Sequence, residues 1–127
     1  MLNAEEKRFF ADTARGAAGL SRCARPSGAV LVKGKRILSY GYGRKIIKDK
    51  EWEVTAAADA LFGARDLDIS GAILFSSRFP SLEDFKMLVF LGVVAVYFFG
   101  DTDDAGAVVF ANALADSCIP LELVKLE

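Results

Sequence analysis

Ala72-Ile-Leu-Phe-Ser-Ser-Arg-Phe-Pro-Ser-Leu-Glu-Asp-Phe-Lys-Met-Leu-Val-Phe-Leu-Gly-Val-Val-Ala-Val-Tyr-Phe-Phe99 reads as strand, helix, strand. Ala72–Ser76 is a short apolar run of strand length, ended by polar residues and a proline. Ser81 follows that proline, and its hydroxyl suits the N-cap of a helix over Ser81–Leu91. Asp84, three residues on, completes a capping-box-like start, and Glu83 and Asp84 both favour the positive end of the helix dipole. Val93–Phe99 is almost wholly apolar, as a strand covered on both faces requires. Two strands joined through one helix lie parallel, with a right-handed crossover.

The pattern continues on either side. Asp101-Thr-Asp-Asp104 suits the N-terminus of a helix over Ala105–Asp116, Cys118-Ile-Pro120 stops it, and Leu121–Leu126 forms a last strand. Upstream, Thr55 caps an alanine-rich helix running to Arg65. Before it come a charged loop, Arg44–Glu53, and two β-rich runs over Gly28–Tyr42 that meet at Lys33-Gly34-Lys35, where glycine supplies the positive φ of a tight hairpin. Leu2–Ala18 repeats apolar residues at helical spacing. The order α-β-β-α-β-α-β-α-β predicts a single α/β domain over residues 1–127. It is a three-layer α/β/α arrangement around a five-stranded mixed sheet, with an N-terminal antiparallel hairpin and parallel later strands.

Composition narrows the chemistry. The chain has 127 residues, 16 basic and 17 acidic, and no histidine. Its mean hydropathy is +0.29, so the core is generous or some apolar surface meets a partner. Without imidazole there is no Ser-His or Cys-His nucleophile pair and no histidine-bearing metal site. Cys23 and Cys118 stand far apart, outside any CxxC pair, and are expected to be reduced and buried. The longest apolar stretch, Met87–Gly100, has 14 residues where a bilayer span needs about 20. A cytoplasmic protein without a membrane span is expected. The near-neutral balance gives no strong nucleic-acid signal, and Tyr97, Phe98 and Phe99 have no basic residues interleaved to make a base-stacking platform.

Ser21-Arg-Cys-Ala-Arg-Pro-Ser-Gly-Ala-Val-Leu-Val-Lys-Gly-Lys-Arg-Ile-Leu-Ser-Tyr-Gly-Tyr42, Thr55–Arg65, Gly71-Ala-Ile-Leu-Phe-Ser-Ser-Arg-Phe-Pro80 and Gly92-Val-Val-Ala-Val-Tyr97 together resemble the cytidine and deoxycytidylate deaminase superfamily, in particular its deoxycytidylate branch. The resemblance implies the fold already read from the pattern. It also implies a chemistry in which one His and two Cys hold a zinc ion that activates water, while a Glu moves the protons. The family's His-Ala-Glu falls here on Thr55-Ala56-Ala57, and its Pro-Cys-x-x-Cys on Pro80-Ser81-Leu82-Glu83-Asp84. The zinc positions are therefore Thr55, Ser81 and Asp84, and the proton-shuttle position is Ala57. The family's Gly-Tyr-Asn-Gly, whose Asn contacts the sugar, reads Gly41-Tyr42-Gly43-Arg44.

On this basis the chain is expected to hold no zinc or other cofactor and to act as a binding, regulatory or assembly subunit. Arg22, Arg25, Arg44, Lys45 and Arg78 lie in segments that border the family's nucleotide pocket, and two readings of these cations stand: a nucleotide or phosphate site, to which Gly43 would belong as well, or solvated loop charges. Trp52 either stacks on a base or anchors its loop. The resemblance implies a homo-oligomer, dimer or larger, and admits an active deaminase as partner. The alternative reading keeps an enzyme, with non-zinc chemistry that uses Asp84 as base.

Overall fold

The computed structural model describes residues 2–46, 53–102 and 104–126. In chain order the elements are α1 (Ala4–Ala18), β1 (Gly28–Lys33), β2 (Arg36–Tyr42), β3 (Arg44–Lys45), β4 (Glu53–Val54), α2 (Ala56–Gly63), β5 (Ile73–Ser76), α3 (Leu82–Phe90), β6 (Ala95–Phe99), α4 (Ala105–Ala115) and β7 (Glu122–Leu126). Every helix starts at a side-chain cap. Asn3 and Glu6 form a reciprocal capping box on α1, Thr55 caps α2, Ser81 and Asp84 cap α3, and Asp104 caps α4. Each cap satisfies backbone N–H groups that a helix start leaves without partners and contributes about 1 kcal/mol.

Five strands form one sheet in the order β2-β1-β5-β6-β7. β1 pairs antiparallel with β2 and β5, while β5–β6 and β6–β7 are parallel. The mixed sheet expected from the element order is therefore present. The hairpin closes through Gly34 and Lys35, at φ 55° and 69°. Two consecutive positive φ values match the right-handed twist of the flanking strands.

Strand alternation sorts side chains between two cores. Val30, Val32, Phe75, Ala95 and Tyr97 face α1, whose Phe10, Ala11 and Ala14 close over them. Ala29, Leu31, Leu74, Val96 and Phe98 face the opposite way, against α2, α3 and α4. Phe75, Phe85, Leu31, Leu74 and Leu88 are among the fully buried side chains, each worth about 1.5–3 kcal/mol of burial. Tyr97 and Phe98 are thus core residues on opposite faces of one strand, and Phe99 is partly buried against the α1 side.

Two expectations need amendment, and a third lies outside the described residues. Part of the charged loop is structured: Arg44–Lys45 and Glu53–Val54 pair antiparallel as a separate two-stranded ribbon. Cys23 is buried, but Cys118 is exposed, because it lies in the turn after α4 and no element packs over it. Trp52 lies outside the described residues.

Candidate functional site

β2 and β5 both run antiparallel to β1 and so point the same way, which sets the N-termini of α2 and α3 together at one end of the central strands. A cavity of about 260 Å3 opens there, lined by Thr55, Ala57, Ser81 and Asp84 together with Arg25 and Arg78. All four positions singled out by the superfamily motifs therefore converge, although they lie up to 29 residues apart in sequence.

Their side chains are already engaged with one another. The Thr55 hydroxyl donates to Asp84 Oδ1 at 2.6 Å and accepts from Ala58 N at 3.1 Å. Asp84 Oδ2 accepts from Ser81 N at 3.2 Å, and Ser81 Oγ accepts from Asp84 N at 3.1 Å. One buried carboxylate thus caps its own helix, α3, and ties it to the start of α2. Its charge sits against two helix N-termini, where the dipoles favour it.

Burial nevertheless raises the Asp84 carboxyl above the usual carboxylate range. The hydrogen bonds from Thr55 and Ser81 pull it down, and the charge of Glu83 adds to the rise. A raised value means the folded protein holds this proton more tightly than the unfolded chain does. The contribution of Asp84 to stability is then greatest below the unfolded pKa of about 3.9 and declines as pH rises through the folded value. Asp84→Asn removes that titration. In urea denaturation, the stability of the wild type relative to this variant should fall between pH 4 and pH 7. A relative stability constant over that window would contradict the assignment. Glu6 and Asp68, whose exposed carboxyls are lowered, titrate equally in both proteins and cancel.

The cations divide between two places. Arg25 and Arg78 border the cavity, and Arg78 Nη1 donates to the Arg25 carbonyl at 3.3 Å. Arg44 is turned away: its Nε donates to Asp59 Oδ2 at 3.0 Å and its guanidinium lies 4.0 Å over the Tyr42 ring. Arg22, Gly43, Arg44 and Lys45 line a separate groove beside Tyr42. Gly43 is buried and structural: its N donates to the Ser27 carbonyl at 3.0 Å and its carbonyl accepts from Ser21 Oγ at 2.9 Å. These bonds fasten the Ser21–Ser27 segment that carries Arg25.

Motif reading passed over Thr102 and Asp104, which also line the cavity from the loop before α4. Asp104 is spent on the α4 cap, accepting from Ala107 N at 3.1 Å. Its capping role was readable locally; its position beside the cavity depends on where β6 delivers the chain.

This architecture, a mixed sheet between helices, is shared with solved deaminases. No protein-family model matches the chain, and no curated protein does. The dCMP deaminase from the cyanophage S-TIM5 in apo form is 25% identical and superimposes with a TM-score of 0.82, over 98% of this chain and 100% of that one. The same enzyme in complex with dCMP and dUMP gives 0.85 at 21% identity, over 99% and 100% of the two chains. A tRNA:A34 deaminase, described for A-to-I editing at the wobble position, gives 0.74 at 18% identity, over 95% and 99%. By its fold the chain belongs to the cytidine/deoxycytidylate deaminase superfamily.

The side chains of Thr55, Ser81 and Asp84, the positions that the motif resemblance equates with metal ligands, do not fit zinc. Two hydroxyls and one carboxylate replace the thiolate and imidazole donors that a catalytic zinc site uses, and these oxygens already bond to each other or to backbone. Among the described residues no group of three or more His, Cys, Asp or Glu is placed to hold a metal ion. Among the same residues no helix is long and apolar enough to cross a membrane.

Proposed function

We propose that this chain is a deaminase-fold protein that does not deaminate and that serves as a binding and assembly subunit. One observation carries the reading. The three positions where relatives would place zinc ligands meet in one cavity and form a closed hydrogen-bond network, with the 2.6 Å Thr55–Asp84 bond at its centre. Ala57 at the proton-shuttle position has no group that moves a proton. The network does the structural part of a metal's work by joining the starts of α2 and α3.

The same cavity suits a small anion, such as phosphate or the phosphate end of a nucleotide. Arg25 and Arg78 border it, and the first N–H groups of α2 and α3 lack partners within their helices. At about 260 Å3 it lies near the small end of ligand pockets, which run from roughly 300 to 1,000 Å3. The reading also places the chain in an assembly, either of its own copies or with an active deaminase, and assigns it to the cytoplasm.

Purified protein should carry no zinc by elemental analysis and release no ammonia from cytidine, deoxycytidine or their monophosphates. Dissolved dCMP or inorganic phosphate at about 100 times its Kd should raise the thermal midpoint by roughly 9 °C, since that excess adds roughly 2.7 kcal/mol. Arg78→Ala should remove most of that shift. Stoichiometric zinc, or turnover that a chelator abolishes, would sink the first part; no shift with any nucleotide or phosphate would sink the second.

A second reading rests on the raised carboxyl of buried Asp84, which would make it a general base in zinc-independent chemistry. It predicts turnover that Asp84→Asn abolishes. Both Asp84 oxygens are engaged by neighbours, which favours the binding reading.

A further inference from the structure

The charges of α1 are sorted by side. Glu5 and Glu6 lie toward β2, where Glu6 pairs with Lys35 at 3.5 Å. Lys7, Arg8 and Arg15 lie on the other side and wall a groove of about 360 Å3, with Phe99 of β6 and Leu126 of β7 at its floor. Among the described residues that line this groove, Asp12 is the one carboxylate. None of the three cations forms an ion pair with a described carboxylate. The Arg15 guanidinium instead lies 4.0 Å over the Phe99 ring, and the Lys7 ammonium 5.5 Å over Tyr97. Cations thus roof aromatic rings on this side of the helix.

One helix does not cover this face of the sheet. α1 packs on β1, with β2 and β5 beside it. β6 is the second strand from β1 and β7 the third. At about 4.8 Å per strand, β6 and β7 lie roughly 10 and 14 Å from the line of α1. Packed helices sit about 8–10 Å apart, so a second helix laid beside α1 would rest over β6 and the edge strand. Tyr97 and Phe99 on β6 stand in register with Val124 and Leu126 on β7, and all four face this strip. Phe99, Val124 and Leu126 are only partly buried, and β7 has no fully buried side chain. The strip is therefore an apolar floor of helix width with a basic wall.

We infer that the strip over β6 and β7 is the docking surface for an amphipathic helix of a partner protein, apolar where it meets Phe99, Val124 and Leu126 and acidic along the edge that meets α1. Charge selects this occupant. Three cations against one carboxylate attract an acidic edge and repel a basic helix or a second copy of the same wall. Carboxylates on the partner would give Lys7, Arg8 and Arg15 the ion pairs that this chain does not supply. The five residues of β6 run for roughly 16 Å, the length of about 11 helical residues, which suffices for apolar anchors at i, i+4 and i+7. The strip lies on the α1 face of the sheet, so the inference does not depend on what the cavity binds.

Fluorescence anisotropy of the full chain tests it, with a labelled helical peptide of about 14 residues that carries leucines at i, i+4, i+7 and i+11 and glutamates beside that stripe. The wild type should bind this peptide at micromolar concentration in about 50 mM salt and several-fold more weakly in about 300 mM. The same peptide with lysine for every glutamate should bind about tenfold more weakly or worse. The double variant Lys7→Glu, Arg15→Glu should lose about tenfold in affinity, and Arg8→Glu, which keeps both ring contacts, should lose a few-fold. Lys86→Glu on α3 should change nothing. The double variant should also keep the wild-type thermal response to inorganic phosphate, which separates damage to this strip from damage to the cavity. The absence of binding, equal binding of the two peptides, or binding that survives the double substitution overturns the inference. So does a double variant whose own mass in sedimentation differs from that of the wild type, since the strip would then be a contact between copies of this chain.

Discussion

Gly41→Ala is expected to destabilise the protein by about 3 kcal/mol, at the upper end of the usual cost of overpacking, and to lower the thermal midpoint by roughly 10 °C. Gly41 lies in β2 directly beneath α2. A methyl group there would overlap the Ala56 carbonyl oxygen and come to 2.5 Å from Ala60 N and 2.9 Å from Ala60 Cβ. The obstructing atoms are α2 backbone and a Cβ fixed to it, so no rotamer change relieves them. The helix itself must rise off the sheet. That movement also draws Thr55, the α2 cap, away from Asp84, so the damage reaches the cavity. Gly16→Ala is the matched control. Gly16 sits in α1 with open space around its Cβ direction, and alanine there should be neutral or stabilising by up to about 1 kcal/mol. Urea denaturation of both variants decides the point. A Gly41→Ala protein within about 1 kcal/mol of wild type would show that α2 does not need this close approach.

The second large effect is a gain. The combined variant Thr55→His, Ala57→Glu, Ser81→Cys and Asp84→Cys should bind about one zinc ion per chain, three protein ligands with one open position being the catalytic arrangement. The backbone already brings these positions together, since Thr55 Oγ1 and Asp84 Oδ1 lie 2.6 Å apart. Both sulfurs would stand at the N-terminus of α3, where the dipole favours thiolate. The substitutions also remove the Thr55–Asp84 bond, so the metal-free variant should be less stable than wild type until zinc restores the link between α2 and α3. Its thermal midpoint should therefore drop when a chelator is added, while that of the wild type stays put. Zinc content after dialysis gives the direct reading. A variant without zinc, or a wild type equally sensitive to the chelator, would show that the network is not the replacement for a metal centre.

Much of the fold was legible because its signals are local. Ser81 three residues before Asp84, and Thr55 before a run of alanines, announce helix starts through bonds that span three residues. The apolar run Val93–Phe99 implies burial on both faces, and the strand–helix–strand order implies parallel pairing. The motif positions Thr55, Ala57, Ser81 and Asp84 could be placed in one pocket because they sit at the ends of such elements. What the sequence left open was of another kind. Cys118 is a residue type usually buried, but its exposure depends on what packs over the turn after α4. Arg25, Arg44 and Arg78 looked alike as cations near a pocket. Arg25 and Arg78 border the cavity, while Asp59, 15 residues from Arg44, draws that side chain into another groove. Gly41 and Gly43 read as parts of one degenerate motif, whereas the first clears space for a helix and the second fastens a loop.

By itself the sequence determined the main helices and strands, the caps of α2, α3 and α4, the mixed sheet and the absence of any histidine. Those follow from periodicity, from capping chemistry and from which side chains are present at all. Only the tertiary structure decided that Thr55 and Asp84 bond to each other, which arginines reach the cavity, and that α1 leaves β6 and β7 to one side. Each of these depends on distances between residues remote in sequence, which are set when helices settle on the sheet and which no local pattern encodes.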